Sequence, residues 1–350
     1  MRENVLRSPV HAVWPAASLG HYLAEQGPPA TTTKELGAML CELVRLGLDE
    51  LPLPGDGQTM ERWRALAAVA AHDLGLAKLY EGHTDALAIL AELRGPAPVA
   101  HTTWGVWAAE PPTAKVVAVR EREGQARLTG RKAWCSGATV LSHALVTAWI
   151  EPDEQCLVAV PLAQDSVRVH AEPWQAVGMG ATGSVDVEFN STWGSFVGGP
   201  GEYVGRPGFW HGGAGIAACW YGAATAIAEA LRESVAGRSE PHATAHLGAV
   251  DVALAGAAAV LREAAARIDA APDANVSALA LRVRETVEGA ASNVLEHVSR
   301  ALGVGPLCRD ARVARHIADL PIFLRQSHAE RDLTHLGVAV ANLAAGSWSL

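Results

Sequence analysis

A chain of 350 residues with a formal charge of −9 is long enough for roughly two to three domains, and its acidity argues against nucleic acid or an anionic lipid surface as a general partner. Aromatic residues make up only 5% of it while Ala, Leu and Val abound, so helix is expected to dominate. Trp supplies 11 aromatic residues against 4 Tyr and 4 Phe, a bias that suits aromatic-lined ligand pockets. Cys41, Cys135, Cys156, Cys219 and Cys308 are scattered and form no Cys-x-x-Cys pair, which reads as reduced thiols in a cytoplasmic protein. The start, Met1-Arg2-Glu3-Asn4, lacks the basic-then-apolar order of a signal peptide, and no apolar run is expected to reach membrane-spanning length.

The first region, 1–97, reads as helical. Thr32-x-x-Glu35 is a capping box that opens one helix, and Pro52-Leu53-Pro54-Gly55-Asp56-Gly57 interrupts the chain. A second helix is predicted over Met60 to Tyr80 and a third through Leu93, closed by Gly95-Pro96. Across 98–200 the period changes to two. Strands are predicted at Lys115 to Val119, Ala126 to Thr129, Ala144 to Ile150, Leu157 to Val160, Val167 to Val169 and Val185 to Phe189, a spacing that suggests a small antiparallel barrel or sandwich. Over 201–350 the helical period returns. Leu247, Val250, Leu254 and Leu261 share one face, as do Leu279, Val283, Val287, Val294 and Val298, with breaks at Glu240-Pro241, Ala271-Pro272-Asp273 and Gly303-Val304-Gly305-Pro306. The expected architecture is α+β but mostly α: a helical N-terminal domain, an antiparallel β-barrel and a C-terminal up-down bundle.

Two motifs in the middle region point to the chemistry. Lys132-Ala133-Trp134-Cys135-Ser136 places an indole two residues before a hydroxyl, and Gly178-Met179-Gly180-Ala181-Thr182-Gly183-Ser184 follows some forty residues on. An indole suits stacking on a flat redox-active ring while the hydroxyl bonds a ring heteroatom. The pair, in this order and between helical regions, resembles the acyl-CoA dehydrogenase superfamily of FAD-dependent flavoproteins, and the resemblance spans nearly the whole chain. It implies FAD as cofactor, with Trp134 against the flavin ring and Ser136 near its reactive nitrogen. It further implies that Trp107-Ala108-Ala109-Glu110-Pro111 is the flavin loop, with Ala109 in place of the family's hydroxyl residue. Arg238 and Arg300 stand near the family's contacts to the distal part of the cofactor. The family's Gly-x-Gly-Ser-Asp continuation reads Pro112-Thr113-Ala114-Lys115 here, and Pro112 removes a backbone donor.

The same resemblance implies α,β-dehydrogenation of an acyl thioester, in which a carboxylate abstracts the α-proton while the flavin takes a hydride. Counting from Arg309-Asp310-Ala311 lands on Ala318, with Asp319 one residue beyond as the candidate base. His316 points to an alternative, since flavin monooxygenases of this fold place a His after the same segment and an imidazole titrates near neutrality. A catalytically silent partner subunit is the third reading, motivated by the altered loops. A small-molecule substrate, a homodimer or homotetramer joined through the bundle, and an electron-transfer partner are implied. His242 and His246 have helical i, i+4 spacing but no third ligand in sequence, so no metal is expected. The polar run from Arg325 to Asp332 reads equally as a buried network or a solvated helix.

Overall fold

Thr32 caps the first of three successive N-terminal helices as expected: its hydroxyl accepts from the Glu35 N–H while the Glu35 carboxylate accepts from the Thr32 N–H at 3.0 Å. These helices belong to a computed structural model that describes residues 15–349, apart from 123, 151, 152, 173, 238, 239, 345 and 347. They are α2 (Thr33–Arg45), α3 (Thr59–His72) and α4 (Leu74–Glu92), preceded by α1 (Pro15–Ala24). The helix predicted over Met60 to Tyr80 is in fact two. Asp73 is extended at φ −157°, and its carboxylate accepts the Leu76 N–H at 2.9 Å and the Ala30 N–H at 2.7 Å. The carboxylate thereby caps α4 and ties down the segment before α2. Apolar periodicity runs through this break because both helices bury the same face, which is why the pattern alone reads as one element.

The strands are β1 (Trp104–Trp107), β2 (Val116–Arg120), β3 (Gln125–Cys135), β4 (His143–Ile150), β5 (Glu154–Pro161), β6 (Val167–His170) and β7 (Val185–Phe196). They form one 7-stranded sheet in the order β1-β4-β2-β3-β7-β5 with β6 paired to β7, and the additional pairing of β4 with β5 closes β4, β2, β3, β7 and β5 into a barrel. The barrel is mixed, not antiparallel. β1 runs parallel to β4, as does β2 through Val117 and Trp149, while the remaining pairs are antiparallel. Alternation specifies which residues face inward but says nothing of which strand lies alongside, so strand direction was not legible from the pattern.

The bundle comprises α5 (Glu202–Gly205), α6 (Pro207–Val235), α7 (Pro241–Ala270), α8 (Ser277–Leu302), α9 (Val304–Arg309), α10 (Ala311–Leu324) and α11 (Glu330–Ala341). The central α6 packs so closely on α3 that a methyl at Gly222 would overlap the Ala67 carbonyl. Polar clasps join the N-terminal helices to the bundle. Asp269 accepts from Thr59 Oγ1 at 2.6 Å, and Glu92 accepts from Arg206 at 2.6 Å and from the Gly208 N–H at 3.1 Å. Contrary to the expectation from sequence, α6 and α7 are both long and apolar enough, by length and composition, to cross a bilayer. The window of α6 that meets this test is mostly buried in the protein, that of α7 mostly exposed. Alanine accounts for the difference from the initial reading, since it keeps α7 apolar without the bulky runs that catch the eye.

Candidate active site

Where β3 passes β7 the register slips between Lys132 and Cys135, a bulge that accommodates Trp134 in the left-handed region at φ 58°. A bulge re-aims a side chain that alternation would have placed elsewhere. Here it turns the Trp134 indole outward, leaving it 58% exposed between the buried Ala133 and Cys135. So large an apolar surface left open is available for stacking.

A small cleft is lined by Lys78 and Gly82 from α4, Gly105 and Trp107 from β1, and Ser136 and Leu141 from the turn after β3. Trp107 is buried, and its indole N–H donates to the Ser136 carbonyl at 3.2 Å, which fixes the turn against β1. A Cβ built at the buried Gly82 would find only the Val106 nitrogen, 3.8 Å away, so a side chain there would enter the open space. Lys78 pairs with Glu81 at 3.2 Å, and burial pushes the Glu81 carboxyl above its ordinary value against the lowering effect of Lys78.

Beneath this wall sits a network that the sequence reading missed. Lys132 is 1% exposed and donates to the Thr147 carbonyl at 2.9 Å and its hydroxyl at 2.6 Å, with Glu110 Oε1 at 3.3 Å. Glu110 also accepts from Thr147 Oγ1 at 2.7 Å and from the Trp149 indole at 3.1 Å. Burial pushes the Lys132 ammonium below its ordinary value and the Glu110 charge opposes that shift. The ion pair binds the loop after β1 to β3 and β4, so it positions Ala109 and the Trp134 bulge together. A lysine facing inward on a strand, two residues from Trp134, was the available signal.

The bundle side of the site turns inward. Asp319 on α10 is 2% exposed, and its Oδ1 accepts the Met179 N–H at 2.5 Å. Burial raises its carboxyl above the ordinary aspartate value, and the Met179 N–H opposes this. The approach is tight, because a methyl at Gly178 would overlap the Ala318 carbonyl. His316 is 3% exposed; Nδ1 lies 3.0 Å from the Arg312 carbonyl and Nε2 3.1 Å from the Ala70 carbonyl. Ala70 is in the last turn of α3, where helix carbonyls lack partners of their own. His316 thus ties α10 to the end of α3.

Asp319 and Ser136 are nevertheless joined through the Met179 to Ser184 turn. Met179 adopts φ 57°, and Gly180–Thr182 forms a single 3-10 turn. Thr182 accepts from the Gly137 N–H through its carbonyl at 2.8 Å, and Ser184 Oγ lies 2.7 Å from Ser136 Oγ. The two sequence motifs are therefore one structural unit. Arg300 stands apart, exposed on α8 and paired with Glu296 at 2.8 Å, and Arg238 lies outside the described residues. His242 and His246 are brought to no metal cluster among the described residues, although His246 Nδ1 meets His297 Nδ1 at 2.8 Å.

No family model matches the chain and no curated protein matches it. Solved structures do. The dibenzothiophene monooxygenase TdsC from Paenibacillus sp. A11-2, in complex with FMN and indole, aligns with a TM-score of 0.76 at 19% identity over 94% of this chain and 96% of its own. The methanesulfinate monooxygenase MsuC from Pseudomonas fluorescens aligns at 0.74 and 19% identity, over 97% of this chain and 98% of its own. A 3-HSA hydroxylase from Rhodococcus sp. RHA1 aligns at 0.72 and 17% identity, over 94% and 96%. With both chains covered almost completely in each case, this protein has the acyl-CoA dehydrogenase fold that its two motifs resemble.

Proposed function

We propose that the protein is a flavin-dependent monooxygenase acting on a small organic molecule, with FMN in the place where the sequence suggested FAD. The observation that carries this reading over dehydrogenation is the state of Asp319: the carboxylate assigned to α-proton abstraction is buried and spends an oxygen on the Met179 N–H. A general base must reach the proton it removes. TdsC binding FMN and indole, and the monooxygenase and hydroxylase descriptions of the aligned structures, support the same choice.

The residues present fit a flavin ring. The exposed Trp134 offers an aromatic face, Ser136 borders the cleft, and Gly82 leaves the α4 wall without bulk. Arg300 is paired with Glu296 on an exposed helix face. The FMN bound in the aligned TdsC structures favours the mononucleotide. When bound, reduced flavin supplies two electrons to dioxygen, so that one oxygen atom enters the substrate and the other leaves as water. The chain's own residues hold the ring at Trp134 and Ser136, keep the loop after β1 in place through Glu110 and Lys132, and lock the Met179 turn through Asp319. His316 serves in this reading to join α10 to α3.

A reductase that supplies reduced flavin is the implied electron-transfer partner, and a cytoplasmic location accords with five free cysteines. The outward face of α7, where Val252 is 74% exposed among alanines, favours a homodimer or homotetramer formed through the bundle; sedimentation would measure it. The deciding experiment loads the protein with FMN and, separately, FAD, supplies a flavin reductase and isotopically labelled dioxygen, and offers small heteroaromatic and sulfur-containing substrates. A product carrying one labelled oxygen is expected with FMN. Anaerobic bleaching of the flavin by an acyl-CoA would establish dehydrogenation instead, and failure to bind either flavin would favour the silent subunit.

A further inference from the structure

His316 holds α10 against the end of α3 by two contacts of the same kind. Its Nδ1 lies 3.0 Å from the Arg312 carbonyl and its Nε2 3.1 Å from the Ala70 carbonyl. A carbonyl can only accept, so each contact needs an N–H from the ring, and an imidazole carries N–H groups on both nitrogens only as the cation. The neutral ring can serve one carbonyl and must turn a lone pair on the other. The complete clasp is therefore the charged one. The neighbouring His72 presents the opposite case: it is buried, its Nε2 meets no partner, and burial holds its imidazole below the ordinary value, with Asp73 opposing and the charges of Arg312 and His316 adding to the shift.

A buried cation needs opposite charge nearby. The titratable and charged groups around the ring are His72 on α3, Asp73 between α3 and α4, and Arg312, Arg315 and Asp319 on α10. Asp319 feels the His316 charge, and Asp73 is an electrostatic neighbour of both His72 and Asp319, so two buried carboxylates offset one imidazolium. Arg312 turns its guanidinium to the Gly27 carbonyl at 3.0 Å. From α10 the clasp reaches the cleft without touching it. Asp319 accepts the Met179 N–H at 2.5 Å, the Thr182 carbonyl of the same turn accepts the Gly137 N–H at 2.8 Å, and Ser184 Oγ lies 2.7 Å from the Oγ of Ser136, which lines the cleft.

We propose that His316 is a positioning residue whose charge sets how firmly α10 holds the cleft wall: the clasp is complete on the imidazolium and loses one of its two contacts when the ring gives up a proton. The part of this proposal that concerns flavin rests on the reading above. An imidazole changes charge between about pH 5 and 8, so the link between α3 and α10 weakens across that range. Both contacts are made at the acid end and one is lost as pH rises, so the stability that His316 adds declines with pH. FMN affinity follows it downward, because the Met179 turn and Ser136 are held through the same helix.

The test measures urea denaturation without flavin, and FMN binding, across this pH range for the wild-type protein, for His316→Gln, which is neutral throughout, and for His316→Lys, which stays charged. Wild-type stability relative to His316→Gln should fall as pH rises, and His316→Lys serves as the reference if the Gln variant fails to fold. Wild-type affinity for FMN should weaken about tenfold from the acid to the alkaline end, the size of one ordinary hydrogen bond, and both variants should lack that change. Nitrogen NMR of isotopically labelled histidine side chains reads the ring directly: the signals removed by either substitution should show two protonated nitrogens in acid. A stability difference that stays level or grows with pH, or a ring that keeps a bare nitrogen at about pH 5, would overturn the clasp. An FMN affinity that depends on pH as strongly in the variants as in the wild type would overturn the positioning role. Failure of the wild-type protein to bind FMN at any pH would remove the flavin reading and the positioning role with it, while denaturation and NMR still decide the clasp.

Discussion

The strands of the middle region and the C-terminal bundle present similar residue types and use them differently. On the strand side a bulge throws Trp134 outward to 58% exposure, and Ser136 borders the cleft with its hydroxyl oxygen 2.7 Å from that of Ser184. On the bundle side His316 and Asp319 are 3% and 2% exposed, and their polar atoms meet backbone groups of other segments: the Ala70 carbonyl and the Met179 N–H. A titratable side chain at a helix position facing a site is available for chemistry only if the neighbouring backbone does not claim it first. Here the backbone claims both, and the bundle acts as a scaffold for the strand side.

If the strand side depends on its buried ion pair, Lys132→Met should have the largest effect, because it strands Glu110 without its cation. Removing one partner of such a pair costs about 3 kcal/mol or more, and Glu110 keeps partial solvent contact, which places the expectation at the low end. Urea denaturation would measure it, and a change near zero would show that the network does not brace the wall. Gly178→Ala attacks the junction between the two sides by driving a methyl into the Ala318 carbonyl. The expected cost is about 1–3 kcal/mol, with weaker FMN binding because α10 and the Met179 turn are pushed apart.

A pair of substitutions at Asp319 sharpens the contrast further. Asp319→Ala leaves the Met179 N–H without an acceptor, at about 1–3 kcal/mol. Asp319→Asn supplies an amide oxygen to the same N–H, so stability should change by less than about 1 kcal/mol and turnover only a few-fold. Were Asp319 a general base, the Asn variant would instead lose roughly a hundredfold or more in rate with its fold intact. Single-turnover kinetics beside melting curves separate the two outcomes.

The smallest effect is in the pH dependence of stability. Burial raises the Asp319 carboxyl above its unfolded value, so the folded protein holds that proton more tightly than the unfolded chain does. The resulting stabilisation is full below the ordinary aspartate pKa and is lost as pH rises through the raised folded value. Wild-type stability relative to Asp319→Asn should therefore decline across that acidic window and stay level above it. A difference that grows with pH would mean that the ionised carboxylate is the favoured form and that the Met179 N–H outweighs burial.

Much of the architecture was legible because it is written in short-range signals. The Thr32 capping box, the Pro241 start of α7 and the Gly303 end of α8 are local chemistry, and each falls where the sequence places it. β1 was harder. Its four residues, Trp104-Gly105-Val106-Trp107, are too few to show alternation, and its parallel partner β4 lies beyond an intervening hairpin. The Met60 to Tyr80 helix broke at Asp73 because that carboxylate caps α4 and holds Ala30, a contact 43 residues back in the chain.

The residues themselves determined the order of helices, strands and helices, the caps, and the presence of a Trp-x-Ser motif followed by a Gly-Met-x-x-Thr-Gly-Ser segment. Those features depend on neighbours a few positions away, and the chain carries that information directly. Which way Trp134 faces, what the Ser136 hydroxyl meets and what Asp319 does depend on partners set by folding. Asp319 meets Met179 across 140 residues, and Ser136 meets Ser184 across 48. A one-residue displacement on a helix is a turn of about 100°, so counting along the sequence could bring Asp319 near the site without revealing whether its carboxylate faces the cleft or the Met179 amide. Packing α10 against the Gly178 turn decided it, because a buried carboxylate is held by the nearest donor that desolvation leaves within reach.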